Sequence, residues 1–262
     1  MKKGSIINWK LYFLLLAVAI ISVILVLPFS IEGISSLLED VEVPMAIVWT
    51  ASIIQSAIIL AIALFLGLFL SKKTGIGAPV LENYISGIGE IKNKKSFFLL
   101  PIIFGIIIGL VLIAGDYIFY KTGTGITLFN AVHPVWWKGF MASFYGGIAE
   151  EILMRLFLMN LFVWIFSMIT KKGDIKQNRP LIWLSIILAA IIFGAGHLPA
   201  TSAIAPLTPI VVLRAFLLNG IGGIVFGWLF WKRGLLSAMV SHFSADIILH
   251  VLFPIIIFQV LP

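Results

Sequence analysis

Runs of about twenty apolar residues, separated by short charged stretches, constrain this chain more than any other feature. Wound as a helix, such a run matches the hydrocarbon thickness of a bilayer. In lipid only helices and closed barrels satisfy their own backbone polar groups. The runs fall at about 11–28, 44–70, 97–119, 137–169, 181–197, 208–231, 235–249 and 250–261. The last two read either as two spans or as one long helix bent at Pro254. The expectation is therefore an all-α, polytopic membrane protein with seven or eight transmembrane helices. Of the 262 residues, 61% are hydrophobic and 11% are charged. Soluble domains carry roughly 25% charged residues, so a soluble or disordered chain is excluded. The first run follows Met1-Lys2-Lys3 but no A-x-A cleavage pattern comes after it, which reads as a retained helix. There is no cysteine, and so no disulfide framework, thiolate nucleophile or Cys-ligated metal.

The net charge of +7 lies in the segments between spans. Lys2, Lys3 and Lys10 precede the first run, and Glu32, Glu39, Asp40 and Glu42 follow it without a basic residue. Lys72, Lys73, Lys92, Lys94 and Lys95 come next, then Lys171, Lys172, Lys176 and Arg179, then Lys232 and Arg233. Basic and poorly basic segments alternate, which places the N-terminus in the cytoplasm. The basic excess thus reflects membrane orientation, and no nucleic-acid partner is expected. Residues 71–95 are too polar to span. Val80, Leu81, Tyr84, Ile85 and Ile88 repeat at helical spacing there and predict an interfacial helix. The fourth run is too long for one straight crossing and must tilt, bend or protrude. Gly105 with Gly109, and Gly223 with Gly227, form G-x-x-x-G pairs that read as close helix contacts.

A charge in mid-bilayer costs at least ~2.5–3.5 kcal/mol, so ionisable groups inside spans mark functional positions. The N-terminal half holds mainly Asp116. The C-terminal half holds Glu150, Glu151, Arg155, His197, Arg214, His242, Asp246 and His250. In Glu150-Glu151-Ile152-Leu153-Met154-Arg155, Glu151 and Arg155 share a helix face and can pair. Glu150 lies about 100° further round, where that arginine meets it less easily. A carboxylate left available beside a paired one suits proton transfer. Phe193-Gly194-Ala195-Gly196-His197 closes the fifth run with small residues that admit a close approach, and Pro199 is expected to end the helix. His242 and Asp246, four apart, share a face and can orient one another, donate to an oxyanion or bind metal. Arg214 and His250 read as structural.

Taken in order, E-E-x-x-x-R, F-x-x-x-H and H-x-x-x-[ND] resemble the CPBP family of intramembrane proteases, also called the Abi or type II CAAX prenyl endopeptidase family. The residues carrying the resemblance are Glu150, Glu151 and Arg155, then Phe193 and His197, then His242 and Asp246. The resemblance covers about 134–250, a catalytic helical core between N-terminal helices at 1–133 and an apolar helix at 251–262. It implies an active site within the bilayer and endopeptidase hydrolysis of a membrane-associated peptide or lipidated protein, a prenylated CAAX-type substrate being the family's case. It also implies roles. Glu150 and His197 activate water, His242 and Asp246 stabilise the oxyanion, and Glu151 and Arg155 support the first motif. Asp246 stands where the family also uses Asn.

A zinc-dependent version of the same protease remains open, with Glu150, His197, His242 and Asp246 as candidate ligands. There is no H-E-x-x-H, and water activation by Glu150 is the favoured reading. A transporter, or a bacteriocin-immunity or scaffold protein without catalysis, are the rival classes. Transporters usually distribute interrupted helices over both halves, whereas here the ionisable groups sit in one. The expected location is the plasma membrane of a prokaryote, with membrane lipid as the surrounding partner.

Overall fold

The computed structural model describes residues 6–33, 43–87, 94–123, 127–129, 133–170 and 175–260. Lys2, Lys3, Glu39, Asp40, Glu42, Ile88, Lys92, Lys171 and Lys172 lie outside the described residues. Among those described, seven helices are long and apolar enough to cross a membrane. They are α1 (Trp9–Ile31), α2 (Met45–Thr74), α4 (Phe97–Lys121), α5 (Trp136–Thr170), α6 (Arg179–Ser202), α7 (Pro209–Arg233) and α8 (Leu235–Phe258). A short helix, α3 (Pro79–Ile85), lies between α2 and α4.

The two runs at the C-terminal end form the single helix α8, with Pro254 inside it. Proline lacks an amide donor and crowds the preceding turn. The winding widens to π-type over Ile247–Leu252 and Ile256–Val260, on either side of the proline, and the helix continues past it. The regular α-helix of the fifth run ends at Gly196, as the proline at 199 predicts. The chain bends at His197 and starts another short turn, Leu198–Ser202, in which the proline takes a first-turn position. That position needs no amide hydrogen.

The long fourth run accommodates its excess length by widening. α5 turns π-type over Tyr145–Glu150 and again over Ile152–Met159. In α3, Leu81 and Ile85 pack against the core while Tyr84 is 71% exposed.

Small residues set the helix contacts. A Cβ on Gly105 would overlap the Ser241 carbonyl, and one on Gly109 would come within 2.6 Å of Ile248, so α4 lies tightly on α8. Gly223 and Gly227 bring α7 onto Ala190 and Ile186 of α6. Polar ties fix the opposite end of the bundle. Thr74 donates to Asn160 Oδ1 at 2.7 Å, and Asn160 Nδ2 donates to the Ile76 carbonyl at 3.1 Å. The turn between α7 and α8 is joined to the same region by Leu235 N–H donating to the Gly77 carbonyl at 3.0 Å. Gly234 has φ 84° there and packs against Pro79, a backbone conformation that favours glycine.

Candidate active site

The widened part of α5 carries the two adjacent carboxylates. Glu151 is fully buried and Arg155 is 2% exposed. Arg155 Nη1 stands 3.3 Å from Glu151 Oε1, an ion-pair contact, and Nη2 donates to the Gly223 carbonyl at 3.3 Å. The guanidinium also faces the rings of Phe193 at 4.9 Å and Phe226 at 5.6 Å. Aromatic faces of this kind favour a cation by ring-quadrupole attraction. Glu151 Oε1 also accepts from His242 Nδ1 at 2.8 Å. Glu151 therefore joins α5 to α8, while Arg155 joins α5 to α7.

His242 lies nearly flat on Phe226, with centroids 4.5 Å apart and 18° between the planes. Since Nδ1 is bonded to a carboxylate, it carries the proton, and Nε2 is the atom left for chemistry. That nitrogen is 3.7 Å from Glu150 Oε2 and 3.7 Å from Asp246 Oδ1. The space is kept by Gly146, where a Cβ would overlap Asp246 Oδ2 and come within 3.1 Å of His242 Nε2.

His197 stands at the bend in α6. Its Nδ1 lies 2.8 Å from the Phe193 carbonyl. A carbonyl only accepts, so Nδ1 carries the proton and the neutral ring offers a lone pair at Nε2. The Phe193 ring is 4.7 Å from the ring of His197 and 5.8 Å from that of His242. Among the described residues the imidazole within 4 Å of Glu150 is that of His242. His197 reaches the site through the cavity rather than by direct contact with Glu150.

A cavity of about 410 Å³ brings these groups together, of a size that suits a small ligand or a peptide segment. Glu150, His197, His242 and Asp246 all line it, as does Phe193. Glu151 and Arg155 do not line it and hold its wall from behind. Arg214 and His250, read from sequence as structural, line it too. Arg214 does not stand alone: its Nε donates to Asp116 Oδ1, an ion pair between α7 and α4. Residues that sequence reasoning missed are Phe226, which backs His242 and Arg155, and Gly146, which leaves room for Asp246. The pair Gly146-Gly147 just before two carboxylates was a usable signal. Phe226 carried none, being one apolar residue among many.

Among the described residues, no three His, Asp or Glu side chains are grouped so as to hold a metal ion. Of the four candidate zinc ligands, Glu150 and Asp246 each stand 3.7 Å from His242 Nε2.

Residues 131–248 match the family model described as Type II CAAX prenyl endopeptidase Rce1-like. The match takes in every residue of the three motifs and is consistent with the CPBP family. It supports a membrane endopeptidase of the CAAX-protease type, in keeping with seven membrane-crossing helices. No curated protein and no solved structure matches the chain.

Proposed function

We propose, from the premise of a CAAX-protease-type membrane endopeptidase, that Glu150 activates a water molecule that cleaves a peptide bond of a membrane-associated, prenylated substrate. The observation that carries this reading is the position of His242 Nε2, 3.7 Å from both Glu150 Oε2 and Asp246 Oδ1 on the cavity wall. Groups at that separation leave room for one water or one carbonyl oxygen hydrogen-bonded to each.

Glu150 takes one proton of the water as its oxygen adds to the scissile carbonyl carbon. The Nε2 lone pair of His197 is a second acceptor that aligns the same water. Charge gathering on the carbonyl oxygen meets His242, which in its protonated form donates from Nε2 while Nδ1 stays on Glu151. Asp246 holds that ring from the next turn. The carbon–nitrogen bond then breaks as the proton held by Glu150 passes to the departing nitrogen, leaving a carboxylic acid and an amine. Glu151 and Arg155 are positioning residues: they fix the tautomer and orientation of His242 and touch no reacting atom. We place the N-terminus in the cytoplasm, because Lys72, Lys73, Arg179, Lys232 and Arg233 flank the span ends that the positive-inside rule assigns there. We place the protein in a prokaryotic plasma membrane.

The test is purified protein in detergent with a fluorogenic farnesylated peptide. The parent should cleave it, and Glu150→Gln, still folded, should not. Folded parent protein that cleaves neither this peptide nor an unprenylated membrane peptide would overturn the reading.

A further inference from the structure

Tyr145 lines the same cavity as Glu150, His242 and Asp246, and the proposed hydrolysis leaves it without a task. Its position follows from the winding of α5. Tyr145 opens the first widened segment and Glu150 closes it. In an ordinary helix, residues five apart point about 140° away from each other. In a π-type turn the hydrogen bond spans residues i and i+5, which brings the phenol and the carboxylate to the same side of the helix. Gly146 and Gly147, directly after the phenol, put no side chain in the way. Gly146 also shows how near the opposite wall is. A Cβ there would come within 3.1 Å of His242 Nε2, so the residue beside it stands close to that imidazole. Tyr145 is half-buried, and its hydroxyl has no hydrogen-bond partner among the described residues. Nor is that hydroxyl among the polar atoms sealed inside the protein without a partner, so it opens to the cavity. A tyrosine O–H in apolar surroundings ordinarily finds a partner. Here that partner is something the cavity receives. The phenol is a donor, whereas the carboxylates of Glu150 and Asp246 only accept when ionised. Without it His242 Nε2 alone would face an oxyanion, a charge that such sites meet with more than one donor.

We infer that Tyr145 is a further catalytic residue, a second hydrogen-bond donor to the oxyanion formed between Glu150 and His242. The inference rests on the peptidase reading above for its reacting carbonyl, while the placement of the donor rests on the widened turn and the cavity. As the water oxygen adds to the carbonyl carbon, the π electron pair moves onto the carbonyl oxygen. The Tyr145 O–H donates to that oxygen and keeps its proton. When the carbon–nitrogen bond breaks, the pair returns to re-form the carbonyl and the phenol is left as it began. A donor placed for the tetrahedral oxygen holds it more strongly than the flat carbonyl that precedes it, so its effect falls on the rate rather than on substrate binding.

The experiment uses the full chain in detergent, the farnesylated fluorogenic peptide and a phosphinate analogue of it, whose tetrahedral oxygens stand in for the oxyanion. Tyr145→Phe keeps the ring and removes the donor. Its kcat should fall by on the order of 10²- to 10³-fold, the scale for loss of one oxyanion donor, with KM little changed. Binding of the phosphinate should weaken by a similar factor, and binding of the uncleaved peptide, followed in a Glu150→Gln background, should not. A second replacement, 3-fluorotyrosine in place of Tyr145, keeps the donor and makes it more acidic. Donation needs the protonated phenol, so activity is present at lower pH and lost as the phenol ionises; the alkaline loss of kcat should therefore come at lower pH than in the parent. This measurement also serves if Tyr145→Phe fails to fold. A Tyr145→Phe protein with kcat near the parent's, a loss confined to KM, or an alkaline limb that the fluorine does not move overturns the inference and leaves the peptidase reading standing. If the parent cleaves no peptide, phosphinate binding decides. Weaker binding in Tyr145→Phe supports the donor although the peptidase reading has failed, and equal binding overturns the donor as well.

Discussion

His242 Nδ1 lies 2.8 Å from Glu151 Oε1, and both side chains are buried. The same oxygen faces Arg155 at 3.3 Å, while Glu151 Oε2 is buried without a hydrogen-bond partner. One carboxylate thus holds a cation and an imidazole at once. Arg155→Leu should leave Glu151 as an uncompensated charge, and removing one partner of a buried pair costs ~3–5 kcal/mol. Both the melting temperature and the activity should fall. Adding Glu151→Gln should restore much of the stability, and the activity only so far as His242 keeps its orientation. A double variant that melts no higher than Arg155→Leu alone would show that the pair does not couple.

Glu150 is the carboxylate left to the cavity, with its side chain 21% exposed. Glu150→Gln keeps the shape and removes the proposed base. Proton transfer by a placed side chain contributes ~10²–10⁴-fold, so the rate should drop by at least that range with little change in melting. Turnover near the parent rate would assign the base elsewhere.

Gly146→Ala separates packing from chemistry. The added methyl meets the carboxylate end of Asp246, which swings aside at small cost, and lies 3.1 Å from His242 Nε2. Activity should fall steeply while stability changes by less than about 1 kcal/mol, the ordinary scale for mild substitutions. A fully active Gly146→Ala protein would mean that the reaction does not use the space between Asp246 and His242.

Metal content decides between the two forms of water activation. Elemental analysis of protein with measured activity should find far less than one zinc per chain, and hydrolysis should persist after exhaustive chelation. One tightly held zinc per active chain, lost together with activity in His197→Ala, would recast Glu150, His197 and His242 as ligands, because catalytic zinc brings its bound water to a pKa of ~7.

Much of this was legible in the sequence because lipid enforces it. Span length and backbone satisfaction predict seven or eight helices, of which seven are found among the described residues, and four-residue spacing predicts the approach of Glu151 to Arg155. The spacing argument assumed ordinary winding, which sends Glu150 and Glu151 about 100° apart. Over 145–159 α5 is wider, and a wider turn rotates less per residue. Both carboxylates therefore meet the one imidazole of His242. The pairing of Asp116 with Arg214 was hidden for another reason. It joins residues 98 apart on two helices, and no periodicity within either helix encodes which helix will be the neighbour. The glycine pairs encoded closeness without naming the partner, so Gly105 and Gly109 announced a contact but not that it falls on α8.

The cavity wall runs from Val26 and Phe29 on α1 to Leu249 and His250 on α8. During synthesis, the helix carrying Glu150, Glu151 and Arg155 enters the membrane while the segment bearing His242 and Asp246 is still unmade. The two carboxylates of α5 therefore stand without the imidazole that faces them until α8 packs against α5. The cavity is closed by assembly rather than by any one helix, and whatever chemistry it supports begins only with that packing step.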